Sequence, residues 1–435
     1  MENQCHQSVD KKSINIKYGK KILEITVPNH CEILELQYKK HPLKINEILD
    51  KIFSQSHEMP SLLELIDKAK KILILIPDVT RKSGVKHFLN EIIEEIRKRN
   101  KDFYTIFAIG THRAVSEFEK KEIIGENLYN KIKESIIDHD PNDLNRHIYY
   151  GKTKSGTPVL LNQLYGTCEL IISIAAISYH YFAGFGGGRK MIIPGISATK
   201  TTINNHRLVI DENKLMRKPT ATTGNLKDNP VHNDIVEGIM IARANKELFA
   251  INTIVDDKEN IIDLEVGDLF LSHLRACTKY KEMTSVSVSK KYDIVIASCG
   301  GFPKDINMIQ AHKSLHRLQN IVKEGGTIYF FAECIDGYGN KFFENFFNIK
   351  SSNEMIRELI ENYHINKQTA YSLKTLTEKF NVYLYSTFNQ SESMRMGFKK
   401  LEKIDVLEKN DFNKKHIACV PSAYNIFFTL ESIKD

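Results

Sequence analysis

The chain has 435 residues, 42% hydrophobic and 26% charged, a composition that suits a globular protein too long for one ordinary core. Its formal net charge of +7 is spread along the sequence, which excludes a concentrated nucleic-acid footprint and leaves a mild attraction for small anions. Seven cysteines stand far apart with no CxxC pair, which excludes a zinc ribbon or disulfide framework and suits a reducing compartment.

Residues 1–12 read as a leader without regular structure, and the first residues hold no apolar core of a secretory signal. Residues 72–76 form an apolar, β-branched run that stops at Pro77-Asp78-Val79-Thr80-Arg81. A helix is predicted over 87–99, with Phe88, Leu89, Ile92, Ile93 and Ile96 on one face. A strand over 104–109 runs into Gly110-Thr111-His112-Arg113, and Ser116 with Glu119 forms a capping pair that opens another helix. The longest apolar run, 170–177, is far too short to cross a membrane, so a cytoplasmic location is expected. It leads into Ser178-Tyr179-His180 and a glycine run that ends in Arg189-Lys190, with His206 beyond it. Residues 258–291, with a helical pattern over 269–280, read as a connection between domains. Strands over 294–297 and 327–331 then meet Ser298-Cys299-Gly300-Gly301 and Ala332-Glu333-Cys334.

Strands alternating with helices predict an α/β protein with largely parallel sheets, divided as 1–270 and 271–435. Ligands of such sheets bind at the carboxyl ends of strands. Asp78, Arg81, His112 and His180 all fall there, which points to one site.

Each motif also has a bland reading. The glycine run fails the Walker spacing, since Lys190 is preceded by Arg189 and followed by Met191, and no dinucleotide fingerprint opens a strand–helix turn. Asp78-x-Thr80-Arg81 is either a helix cap with a solvated arginine or an anion cradle at a helix start. Gln310 and Lys313, three apart, share one helix face. His112, His180 and His206 together suggest chemistry. Three histidines can hold zinc, but no HExxH or His-x-His pair makes a zinc hydrolase specific.

These blocks together resemble the nickel-pincer lactate racemase family of 2-hydroxy-acid racemases and epimerases. The matching segments are Asp78-Val79-Thr80-Arg81, GTHR at 110–113, HYFAGFGGGRKMIIPG at 180–195, Asn205-His206 and Asn229-Pro230-Val231. GGFPKDINMIQAHK at 300–313 and AECIDGYGN at 332–340 complete them. The resemblance implies two α/β domains facing each other across an active-site cleft. It implies a nickel-pincer nucleotide, a Ni(II)-pyridinium-3,5-bisthiocarboxylate mononucleotide tethered to Lys190 through a thioamide. It further implies His206 as nickel ligand, Asp78, Val79, Thr80 and Arg81 as nucleotide contacts, and His112 and His180 as the acid–base residues. Arg81, Gln310 and Lys313 fall where the family contacts substrate.

By the same resemblance the reaction is reversible hydride transfer. Removing a proton from a 2-hydroxy carboxylate would build a carbanion beside a carboxylate, whereas removing hydride leaves a neutral ketone. The partners implied are a small 2-hydroxy acid and the proteins that synthesise the cofactor. The alternative is a carrier that binds the nucleotide without turnover. Ile309 stands where the lactate enzymes have tyrosine, and Arg189 where a smaller or neutral residue is expected. Arg189 is read either as extra charge for a substrate with a second carboxylate or as a solvated side chain.

Overall fold

The computed structural model describes residues 10–38, 40–54, 59–405, 412 and 415–431. It contains two compact α/β units. One comprises Tyr38–Asp211 and Arg217–Met283, the other Met1–Gln37, Glu212–Met216 and Thr284–Asp435.

The first unit is built on a five-stranded sheet in the order Ile261–Asp268, Glu247–Val255, Leu170–Ala176, Lys71–Pro77, Asp102–Ala108. All neighbours are parallel except the first pair. The 71–77 and 170–176 strands are buried along nearly their whole length, which is why they read as continuous apolar runs. Register places Pro77 opposite Ala108, so the loops after those two strands leave the sheet side by side. Leu89, Ile92, Ile93 and Ile96 of the helix Leu89–Lys98 are fully buried in this core. The preceding turn, Val85–His87, is a separate 3₁₀ segment, so the helix starts two residues later than predicted. Ser116 and Glu119 form the reciprocal cap at the start of Glu117–Ile124.

The segment read as a connection, 258–291, instead supplies the antiparallel edge strand Ile261–Asp268 and the helix Leu271–Thr284. Two buried carboxylates hid that strand from an apolar-run reading. Asp263 is paired with Lys40 and, at 2.8 Å, with Lys51; Glu265 is paired with Lys279 and, at 2.8 Å, with Arg275.

The second unit holds a six-stranded, wholly parallel sheet in the order Lys399–Lys400, Asn381–Tyr385, Val322–Phe331, Tyr292–Ser298, Ile417–Val420, Glu32–Ile33. An antiparallel hairpin, Lys11–Tyr18 with Lys21–Pro28, turns at Gly19, whose φ of 52° favours glycine. Its Ile16, Tyr18, Ile25 and Val27 pack with Ile294, Ile296, Tyr329 and Phe331. That apolar face ties residues near the start of the chain to the C-terminal sheet, whereas the sequence reading divided the chain once, after residue 270. The expected leader overlaps the first strand from Lys11 on; residues 1–9 lie outside the described residues. No helix among the described residues is long and apolar enough to cross a membrane.

Candidate active site

Asp78 follows the 71–77 strand and is 5% exposed. Its Oδ1 accepts from the Thr80 N–H at 3.0 Å and the Thr80 hydroxyl at 2.6 Å. Its Oδ2 lies 2.6 Å from Nδ1 of His112, which follows the neighbouring strand. Burial opposes ionisation of Asp78, but His112, Thr80 and Arg81 outweigh it and hold the carboxyl below its ordinary range. With the carboxylate as acceptor, His112 carries a proton on Nδ1 and presents the Nε2 lone pair when neutral. The His112 side chain is 55% exposed. No helix begins at Asp78; the turn closed by Thr80 replaces the expected cap, and so removes helix-start N–H groups from the anion-cradle reading. Asp78, Val79 and Arg81 instead line a cavity of about 210 Å³ together with Lys86, Lys258 and Asn260.

A second cluster centres on Phe182. The His180 ring meets it edge-on at 4.4 Å, the His206 ring at 4.8 Å, and the Lys190 ammonium lies 5.9 Å from its centroid. Nδ1 of His180 accepts from the Ala183 N–H at 3.2 Å, so neutral His180 carries its proton on Nε2. His206 projects from the helix Thr199–Arg207. Next to it, Asn205 donates to the Val231 carbonyl at 3.0 Å and to Asp234 at 2.9 Å. Burial, together with the nearby Lys190 and His112, pushes the His206 imidazole down to about 3, so it is neutral. Both its ring nitrogens are buried without a hydrogen-bond partner. Buried polar groups are rarely left so, and a neutral imidazole with an open lone pair is the usual donor to a metal ion.

The glycine run proves to be a packing device. A Cβ at Gly187 would stand 2.9 Å from the Ile177 side chain, and one at Gly188, where φ is 46°, would stand 2.7 Å from the His273 ring. The Ser173 hydroxyl, which interrupts the apolar strand, donates to the Gly188 carbonyl at 2.9 Å. Asn229 caps the helix Pro230–Arg243 and donates to the Phe182 carbonyl at 2.9 Å, which anchors the centre of the ring cluster. Arg189 is neither solvated nor open to a substrate: it is fully buried and bonded to His232, His273 and two backbone carbonyls.

Comparison with known proteins gives this arrangement its context. Residues 18–217 match the model of the lactate racemase N-terminal domain, and residues 287–403 that of the lactate racemase C-terminal domain. The lactate racemase of Thermoanaerobacterium thermosaccharolyticum is 32% identical over 77% of this chain and 78% of its own. The chain belongs to the lactate racemase family. It is accordingly an isomerase. The lactate racemase of Lactiplantibacillus plantarum is 30% identical over 80% of this chain and 81% of its own. The solved T. thermosaccharolyticum lactate racemase apoprotein superposes with a TM-score of 0.85 at 26% identity, covering 96% of this chain and all of that one. A Thermotoga maritima protein shares the fold at a TM-score of 0.68 and 18% identity, covering 91% of this chain and all of that one.

Within this lactate racemase fold, Gln310 and Lys313 lie in the second unit on the helix Met308–Leu318. The Lys313 ammonium donates to the Gln310 side chain at 2.5 Å, so the pair shares one face. Asn307 caps that helix through the Gln310 N–H and packs against Gly339, which ties the 300–313 and 332–340 blocks together. His112, His180 and His206 do not form a ligand set of the zinc-hydrolase kind: among the described residues no group of three His, Cys, Asp or Glu is assembled for a metal ion. Sequence reasoning missed Phe182, Ala183, His273 and the contact from Asp78 to His112. The first two lie inside the matched 180–195 block, but only the fold shows what they touch.

Proposed function

We propose that the chain racemises or epimerises a 2-hydroxy carboxylate, using a nickel-pincer nucleotide held by Lys190 and His206. The observation that carries this reading is the pair of unpartnered, buried nitrogens of His206, in the same ring cluster as Lys190 and His180. Lys190 would hold the group through its amine, His206 would bind the metal with its neutral imidazole, and Asp78, Val79, Thr80 and Arg81 would contact the nucleotide. When bound, the group supplies a reversible hydride acceptor.

The residues of the chain handle the proton. His112 presents a lone pair that can take the substrate hydroxyl proton, and the Asp78 carboxylate then stabilises the imidazolium. His180 presents a proton on Nε2, able to bond to the substrate oxygen. Accepting the opposite enantiomer requires His180 to take the base role. Moving its proton to Nδ1 gives up the Ala183 hydrogen bond, a cost of about 1 kcal/mol, so that role stays within reach. Arg81, which lines the same cavity as Asp78, is the candidate for holding the substrate carboxylate, since a fixed cation orients such a group.

The test is to co-produce the protein with the cofactor-synthesising proteins, measure intact mass, and assay a panel of chiral 2-hydroxy acids. Adduct mass on Lys190 with interconversion of at least one acid is the expected result. Adduct without turnover would leave a carrier, and full activity without any adduct would refute the tether.

A further inference from the structure

The polar cluster around Arg189 has no part in the chemistry described so far. Nε of Arg189 donates to His232 Nδ1 at 2.7 Å, and its Nη1 lies 2.8 Å from His273 Nε2, which is also 3.0 Å from the Gly186 carbonyl. Nη2 donates to the carbonyls of Ala183 at 3.0 Å and Phe185 at 3.3 Å. None of these partners is a carboxylate. Burial lowers the guanidinium only to about 10, so it is still charged at neutral pH. Burial and this charge keep both imidazoles neutral: His232 is pushed down to about 3, and His273 lies well below its ordinary value.

A buried guanidinium with no carboxylate partner is costly, by several kcal/mol of desolvation. Its planar fork is well suited to fixing acceptors that lie around one plane. Those acceptors include the backbone between the two residues on which the proposed chemistry depends. Ala183 is the junction: its carbonyl accepts from Arg189, and its N–H donates to His180. We infer that Arg189 is a positioning residue for His180, holding Ala183 so that the imidazole keeps its orientation and carries its proton on Nε2. This rests on reading His180 as a substrate-facing group. It also accounts for a residue that the sequence marked as a departure without showing where it points.

Arg189→Lys tests the inference, because an ammonium keeps the charge but cannot reach His232 and the Ala183 and Phe185 carbonyls from one planar fork. His232→Leu is the second variant; it removes the acceptor of Nε and leaves Arg189 in place, should the lysine protein not fold. The first readout is ¹⁵N NMR of histidine-labelled protein without cofactor, with the His180 signal assigned by its loss in His180→Gln. Wild type should show an unprotonated Nδ1, and either variant should show the two tautomers exchanging. In loaded protein the Lys190 adduct mass should be unchanged, which separates a change at His180 from a loss of the tether. A protonated Nδ1 in wild type overturns the inference, as does a His180 spectrum that neither variant alters. Full activity in His180→Gln would instead sink the two-histidine reading, whatever the spectra show.

Discussion

Replacing Asp78 by Asn isolates the electrostatic part of the His112 arrangement. The amide keeps the shape of the side chain and can still accept from His112, but it removes the charge that lies 2.6 Å from Nδ1. At about 4 Å between charge centres, the attraction is about 4 kcal/mol for an effective dielectric near 20 and about 1 kcal/mol in water. Asp78 is buried while the His112 side chain is 55% exposed, so the pair falls between these limits, at roughly 2 kcal/mol. That energy acts only when His112 holds the substrate proton. The loss should therefore appear in kcat, about 30-fold, with little change in KM. The assay is steady-state racemisation by Asp78→Asn with the Lys190 adduct confirmed by mass. Turnover within about twofold of wild type, or a rise in KM alone, would refute the claim that Asp78 acts through His112.

Lys190→Ala should abolish the covalent adduct in intact-mass measurement, with circular dichroism confirming that the variant is folded. Gly188→Ala should destabilise the first unit by about 1–3 kcal/mol, read as a lower Tm, because its Cβ would meet the His273 ring in a backbone conformation that favours glycine. Asp263 is held down to about 2, as Lys40, Lys51 and Lys279 outweigh its burial. Its depressed value gives stability that is present above the unfolded pKa near 4 and lost as pH falls toward 2. Asp263→Asn should therefore cost about 1–2 kcal/mol at pH 7, allowing for the exposed lysines, and the difference from wild type should vanish by acid titration.

The layout of the sheets was legible because their central strands are buried on both faces. The 71–77, 170–176 and 292–298 strands need apolar residues at almost every position, and abrupt polar endings mark where each leaves the sheet. Where a strand buries charge, this signal fails. Asp263 and Glu265 sit in an edge strand, and although Arg275 and Lys279 follow on the next helix, no local pattern announces the distant partners Lys40 and Lys51. The hairpin at 11–28 shows the same limit from the other side. Its alternation is readable, but its apolar face could have covered either sheet, and only the contact with Ile294 and Tyr329 assigns it.

The site was legible as a set of residues and not as a set of contacts. His112 and Asp78 are 34 positions apart, and what joins them is the parallel register that sets Pro77 beside Ala108. A sequence motif can mark both ends of such a pair without revealing the bond, which is why Asp78 was read as a cap or a nucleotide contact. The glycines and Arg189 teach the converse. Their spacing suggested approach to a ligand, yet the space beside Gly187 and Gly188 is taken by Ile177 and His273, and the guanidinium is spent on Ala183 and Phe185. The run therefore serves the chemistry at one remove. It brings the chain close enough to the end of the 170–176 strand that Lys190, His180 and His206 come together around a single phenylalanine, and each of those three can then be specified by packing.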